Sequence, residues 1–424
     1  WTAAITAVAP VRFHSDAGTL TLTHASGSAS NIISGTHAVT FSGNGNIAVG
    51  SRLNTSSGTV TKEGNGTLVM SGNGGTSLTG ATTINGGVLR MTSGNALGSS
   101  SLITVNDVAT GAALELSGGI SVANAITFNG SGINGGTNLN GTGAIRNLSG
   151  SNTLSGTLGI GLDAAGPRIS ADAGTTLTLS GTLRSAATLA GTRIGLLGGG
   201  GTIHITGVIT NGTTAATYIT GIAKVESGTV NLRTAATFTP NTTTPTTSLL
   251  HVRGGTLNLD FANASATSQL IPGTNILTVG GGTLTQGGNT LGGGTLLLSG
   301  KAGTAHSQSL AGMVMAGGRS AITAVSEAGG SMKLALGPIS RGTGSGSSLN
   351  LTLPANGSIT TTTLNTNGIL NGGLTVGNST WATSAATTQT GVSWANTGDV
   401  IQLGGFSNGQ QVSFTGTAPA GLTA

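Results

Sequence analysis

The sequence predicts an all-β chain folded as a parallel β-helix, or β-solenoid, and three observations lead there. Of the 424 residues, 77 are Gly, while only 6% are charged and 3% aromatic. A five-residue phrase, Gly-Thr-apolar-x-apolar, returns along the chain, and over one stretch its Gly residues stand 27 positions apart. An ordinary domain has Gly near ~7% and charged residues near ~25%, so this composition excludes most soluble enzymes. Disorder fits poorly, because disordered segments are rich in charge and Pro, whereas here Thr, Ile and Val abound and Pro numbers 8. No Gly-X-Y period supports collagen, and no Leu-rich heptads support a coiled coil.

Each copy of the phrase reads as a turn entering a short strand. Copies are Gly18-Thr19-Leu20-Thr21-Leu22, Gly66-Thr67-Leu68-Val69-Met70, Gly201-Thr202-Ile203-His204-Ile205, Gly228-Thr229-Val230-Asn231-Leu232 and Gly255-Thr256-Leu257-Asn258-Leu259. Alternation of apolar and polar residues puts one face in and one out, and the flanking Gly and Asn-Gly pairs supply positive-φ turns.

Gly201, Gly228, Gly255 and the Gly282 that opens Gly282-Thr283-Leu284 are each 27 residues apart. If 27 residues make one coil, such positions stack along the axis at ~4.8 Å. Val230, Leu257 and Leu284 then form one column, Asn231 and Asn258 the next, and Leu232 and Leu259 a third. The same offset pairs Glu226 with Arg253 and Arg233 with Asp260 as ladder contacts between opposite charges, which fix register more than they add stability.

Gly66 and Gly87 are 21 apart, so coil length varies with loop length over about 21–27 residues. That range gives roughly 16 to 20 coils and a rod of about 75 to 95 Å at one strand spacing per coil. A solenoid needs no central core, and its stability is approximately a sum over neighbouring coils. The chain reads as N-terminal coils with a possible assembly end over 1–60, a repeat solenoid over 61–300 with the 27-residue period at 201–286, and a C-terminal solenoid and terminal region over 301–424.

The stretch Gly64-Asn65-Gly66-Thr67-Leu68-Val69-Met70-Ser71-Gly72, with Leu78-Thr79-Gly80-Ala81-Thr82-Thr83-Ile84-Asn85-Gly86-Gly87-Val88-Leu89, resembles the autotransporter-associated β-strand repeat of bacterial passenger-type surface proteins. The likeness continues in Asn95-Ala96-Leu97-Gly98 and Ile145-Arg146-Asn147-Leu148-Ser149-Gly150. Ser309-Leu310-Ala311-Gly312-Met313-Val314-Met315, Leu334-Ala335-Leu336-Gly337-Pro338-Ile339 and Gly357-Ser358-Ile359-Thr360-Thr361 are similar to the region that follows such repeats. In loose form the resemblance covers about residues 60 to 424. It implies a right-handed parallel β-helix displayed outside a Gram-negative-type cell. No β-barrel translocator follows Ala424, so the likeness leaves the export route open.

Catalytic chemistry finds little support. The ten acids include Asp163 with Asp172 and Asp107 with Glu115, but these separations do not predict carboxylates about 5 to 9.5 Å apart across a sugar bond. His14-Ser15-Asp16 holds the three residue types of a triad, yet neighbours on a strand point to alternate sides. His204 reads as a ladder member beside Asn231, with no second His at metal spacing. Gly-rich nucleotide motifs carry no information in so Gly-rich a chain. Gly300-Lys301-Ala302 lacks the hydroxyl and the upstream Gly of a P-loop, and the calcium nonapeptide pattern is missing its Asp. The expectation is no enzyme, no cofactor and no metal.

Fifteen Lys and Arg against ten Asp and Glu give +5, spread along the length, and the aromatics do not alternate with cations, so nucleic acid is not an expected partner. No stretch approaches the ~18 to 20 apolar residues of a membrane span. Trp1 opens without Met or a charged leader, which suggests a mature, processed or partial chain. Zero Cys removes disulfides and thiolate metal sites. Met313 and Met315 are expected as one core and one surface residue.

A solenoid presents unpaired strands at its ends, which template further pairing unless blocked. Neither terminus carries a charged amphipathic helix. Head-to-tail addition is a heterologous contact, and such contacts make filaments when they do not close. The expectation is an extracellular structural protein that assembles with itself into a surface fibre, filament or sheath, with Trp1, Ile5, Trp381 and Trp394 as possible interface residues. The alternatives are a monomeric passenger adhesin that binds glycans or cell-surface components, and a polysaccharide-active β-helix enzyme.

Overall fold

The computed structural model describes residues 1–134, 141–161, 166–186, 191–212, 218–240, 248–281, 285–286, 289–290, 292–342, 346–366, 369–370, 373–384, 388–389, 392–393 and 401–405. The described chain contains strands and no helix, and its parallel sheets stack as a β-solenoid of about 12 turns. That is fewer than the 16 to 20 expected. In-register partners lie from 20 residues apart (Ile33 and Leu53) to 39 (Thr256 and Thr295), so coil length varies more widely than the 21–27 read from the phrase, and the longest coils lower the number of turns. Loops between strands add length without changing the strand register.

Contacts group the chain into two compact units. The first comprises Trp1–Asn231, Ala236–Thr243 and Thr285–Asn289, and the second Leu232–Ala235, Thr244–Leu284 and Thr290–Ala424.

In the first unit one sheet runs in parallel from Thr19–Leu22 to Tyr218–Lys224, and a second from Val11–His14 to Ile209–Thr210. A third wall begins as Ile5–Ala7, Asn31–Gly35 and Arg52–Asn54, and resumes from Ser121–Val122 onward. The walls are held by the columns that the alternating phrase creates. Leu20, Ile47, Leu68, Leu89, Leu114, Ile145, Ile169 and Leu197 stack in register, and all but Leu20 are buried. Burying each such side chain stabilises by about 1.5–3 kcal/mol. The second sheet has the inward column Phe13, Phe41, Lys62, Ile84, Val105, Phe128, Ile160 and Ser185, in which one residue is a lysine.

The Gly that opens the phrase is explained by close stacking of consecutive turns. A Cβ on Gly66 would stand 1.9 Å from the Gly45 carbonyl oxygen, and one on Gly228 would stand 2.1 Å from that of Gly201. Gly66→Ala is therefore expected to cost about 1–3 kcal/mol through overpacking. Gly292→Ala, where a Cβ meets nothing within 4 Å and φ is not positive, should be close to neutral. Urea unfolding of both variants checks this, and equal midpoints would refute the stacking account.

In the second unit, parallel strands Leu250–Val252, Ile276–Val279, Gly312–Met315 and Ile339–Arg341 form one wall. Thr256–Asp260, Thr295–Ser299, Gly318–Val325, Ser347–Thr352 and Leu374–Val376 form another, and Ala305–Ser309, Ser331–Ala335 and Gly357–Thr360 a third. The strand that stacks on Thr256–Asp260 is Thr295–Ser299, so Leu257 lies under Leu296 rather than Leu284. The 27-residue period therefore stops at its third copy, and Gly282-Thr283-Leu284 lies outside the described residues. Met313 and Met315 are both buried, against the expectation of one at the surface, because positions two apart on a strand share a face. After Leu374–Val376 the direction reverses: Thr380–Ser384 and Ile401–Gly405 pair antiparallel at the end of that sheet. No helix among the described residues is long and apolar enough to cross a membrane.

Candidate functional site

Among the described residues, five arginines and five acids are joined in ion pairs between coils. In the first unit Arg90 Nη2 lies 2.7 Å from Glu115 Oε2, and Arg146 Nη1 lies 3.1 Å from Glu115 Oε1. Arg146 then grips Asp172 through two bonds, Nε to Oδ1 at 2.9 Å and Nη2 to Oδ2 at 2.6 Å. Arg90, Glu115 and Arg146 occupy one register column, so opposite charges follow each other turn by turn. The bond to Asp172 is the main reason the Arg146 guanidinium is raised above its ordinary range. Sequence reasoning missed this ladder because its spacings are 25, 31 and 26 residues, which no fixed period finds.

Glu63 takes Arg12 at 2.6 Å, Glu226 takes Arg168 at 2.7 Å and Asp260 takes Arg233 at 2.7 Å. A carboxylate gripped by a guanidinium is poorly placed as a general acid or nucleophile. The two acid pairs read from the sequence are not brought together as pairs among the described residues: Glu115 and Asp172, one from each, are joined through Arg146, Asp107 is in none of these ion pairs, and Asp163 lies outside the described residues. Among the described residues no group of three His, Asp or Glu is placed to hold a metal ion.

Arg233 and Asp260 thus meet within the second unit, whereas Glu226 belongs to the first unit and Arg253 to the second. Arg253 Nη2 lies 3.2 Å from His251 Nδ1. The polar columns behave likewise: Asn231 Nδ2 lies 3.2 Å from His204 Nδ1, and Asn258 Oδ1 accepts the Ser299 hydroxyl at 2.9 Å.

Two lysines point into the core. Lys62 Nζ donates to the carbonyls of Glu63, Gly64 and Gly86 at 2.8, 2.8 and 3.0 Å. Lys224 Nζ donates to those of Val225 and Glu226 at 2.5 and 2.9 Å. Burial pushes the Lys62 ammonium down to about 8 against the pull of Glu63, and Lys224 down to about 7. Burial also lowers Arg168, which is 1% exposed, and His251 falls to about 4 through burial and the Arg253 charge.

No known family model matches this chain, and no characterised protein or solved structure matches it either. The passenger-repeat likeness therefore rests on the quoted residues, and what the molecule can do must be argued from its own surfaces.

The first coil is one such surface. Ile5–Ala7, Val11–His14 and Thr19–Leu22 each stand first in their sheets, with one sheet neighbour apiece. Ile5, Val11, Phe13 and Leu20 are only half-buried there, although the residues stacked on them are fully buried. Val8 is 83% exposed and Trp1 66% exposed. Trp1 is fixed by its terminal ammonium on Thr21 O at 2.9 Å and its indole N–H on Ala3 O at 2.7 Å.

His14 joins this coil to the next. Its Nδ1 lies 2.8 Å from the Ser42 hydroxyl, directly above it in register, and its Nε2 lies 2.7 Å from Asp16 Oδ1. Ser15 turns to Ala17 O instead. His14 and Asp16 thus share a side, as positions two apart should, and the serine they meet comes from the neighbouring coil. Trp381 lies on the antiparallel strand Thr380–Ser384 and is partly exposed. Trp394 lies outside the described residues.

Proposed function

We propose that this chain is a structural protein of the exterior of a Gram-negative-type cell, of passenger-repeat type, which assembles head to tail with copies of itself. The observation that carries the reading is the first coil, where Ile5–Ala7 and Val11–His14 each have one edge without a sheet neighbour beside half-buried apolar side chains, while Trp1 lies along the edge of Thr19–Leu22 through Thr21 O and Thr23 N. An edge of that kind accepts further strands unless charge or a bulge blocks it, and Arg12 and His14 are the only ionisable side chains on those two strands. The exterior location is supported by the repeat-like residues and by the low charge, and stacked hydroxyl and amide columns suit long-lived material.

Negative-stain electron microscopy with sedimentation velocity tests the reading on the intact chain at neutral pH. Filaments with a constant axial repeat are the expected result. Val8→Lys with Val11→Lys, which sets two like charges on the open edge, should reduce them to single particles. Dispersed monomers or closed dimers of the unaltered chain would overturn the reading.

A further inference from the structure

We propose that a cleft on the second unit binds an acidic sugar through Arg319 and Asn350, an inference that goes beyond self-assembly and does not rest on it. The cleft has a volume of about 430 Å3, within the ~300–1,000 Å3 of small-ligand sites. It lies where the strands Thr256–Asp260, Thr295–Ser299, Gly318–Val325 and Ser347–Thr352 begin. Thr256, Thr295, Ala321 and Asn350 are successive members of one register column on that wall. Ala321 is the smallest of the four, so the column dips between the two threonines and the asparagine.

The lining is one-sided in its chemistry. Arg319, two residues before Ala321 and therefore on the same face, brings an exposed guanidinium whose bond to Asn378 Oδ1 is long, at 3.4 Å. Asn350 Oδ1 already accepts the Thr375 hydroxyl at 3.1 Å and the Asn378 N–H at 2.7 Å. Those two bonds fix the amide so that its NH2 group, a pure donor, is left for a ligand. Ser320, between Arg319 and Ala321, turns its side chain to the opposite face, in register with the buried Leu349, so the hydroxyls on the cleft side are those of Thr256 and Thr295. No carboxylate lines the cleft.

A guanidinium, a fixed amide donor and hydroxyls that donate or accept match a carboxylate or sulfate carried on a ring of hydroxyl groups. A bare inorganic anion would satisfy the cation but leave the threonine hydroxyls unused. A neutral sugar would use the hydroxyls but leave the charge unanswered. The volume accommodates one or two sugar rings, so the ligand class is a uronic or sulfated saccharide end or short segment.

Isothermal titration of the intact chain with trigalacturonate, neutral galactotriose and inorganic sulfate tests the assignment. Trigalacturonate is expected to bind, with the affinity falling about tenfold or more in Arg319→Gln, the loss of one charge-assisted bond. Asn350→Asp, which turns a donor into a like charge, should abolish binding. Arg184→Gln, in the first unit, should bind as the unaltered chain does, and circular dichroism checks that each variant is folded. If sulfate competes as strongly as the trimer, the site is a bare anion site and the sugar assignment falls. Equal binding of the neutral trimer, no binding of trigalacturonate at millimolar concentration, or an undiminished Arg319→Gln each overturns it as well.

Discussion

Glu226→Gln is expected to lower the stability of the first unit by about 3–5 kcal/mol, the largest effect of any single polar substitution in it. The Glu226 carboxylate faces a guanidinium that is 1% exposed, with Oε1 2.7 Å from Arg168 Nη2, and its Oε2 also accepts the Gly199 N–H. Arg168 sits where the register places it over Leu196, at the margin of an apolar column, and burial already disfavours its charge. An amide at position 226 keeps the shape and removes the compensating charge, so the cost of burying Arg168 and Lys224 appears in full. Glu226 has φ 62°, a left-handed backbone that costs a side chain about 1–2 kcal/mol. Urea unfolding should show a lower midpoint for Glu226→Gln, while Glu327→Gln at an exposed position should stay within about 0.5 kcal/mol. Adding Arg168→Met to Glu226→Gln should recover part of the loss, since apolar replacement of a buried pair is often neutral. An unchanged midpoint in the single variant would show that solvent reaches Arg168.

The walls of the solenoid were legible because they follow from period two and from Gly at the turns. The phrase at Gly18, Gly66, Gly201, Gly228 and Gly255 is a strand entry in every case. Coil length was not legible, because a loop can bulge outward by any number of residues without disturbing the strands it joins. That is why the 27-residue offset joins Arg233 to Asp260 yet fails at Leu257, whose partner is Leu296. The ladder through Arg146 and the cleft at Arg319 and Asn350 are hidden for the same reason: their residues come from coils of unequal length. Lys62 and Lys224 were hidden for another. Period two places them inward, but a charge at an inward position contradicts the pattern, and only the turn carbonyls around each ammonium explain it. The burial of Met315 was legible too, since Met313, two residues before it on the strand, fixes the face they share.

Raising the pH from 7 to 10 is expected to stabilise the first unit, the second large effect. Lys224 has an ordinary value of 10.5; burial lowers it to about 7, against the attraction of Glu226 and with the repulsion of Arg168. Between those values the unfolded chain holds a proton that the folded chain has released, so stability rises with pH, by about 1.4 kcal/mol per unit for one proton. Lys62, lowered to about 8 by burial, adds a second rising contribution above that pH. Below pH 7 both lysines are charged in both states and their slopes vanish. In the second unit His251, lowered from 6.5 to about 4, acts in the same direction over that lower window, because its buried ring must stay neutral while the unfolded ring charges. The neutral amine of Lys224 still donates to Val225 and Glu226, so losing the proton leaves those carbonyls partnered. Urea midpoints at pH 7, 8, 9 and 10, taken on fresh samples whose mass excludes deamidation, should climb for the unaltered chain. Lys224→Met, which continues the apolar column above Leu197, should climb with a visibly smaller slope. A flat profile for the unaltered chain, or equal slopes for the two, would mean that water reaches the ammonium and that the interior of the solenoid is wet at this turn.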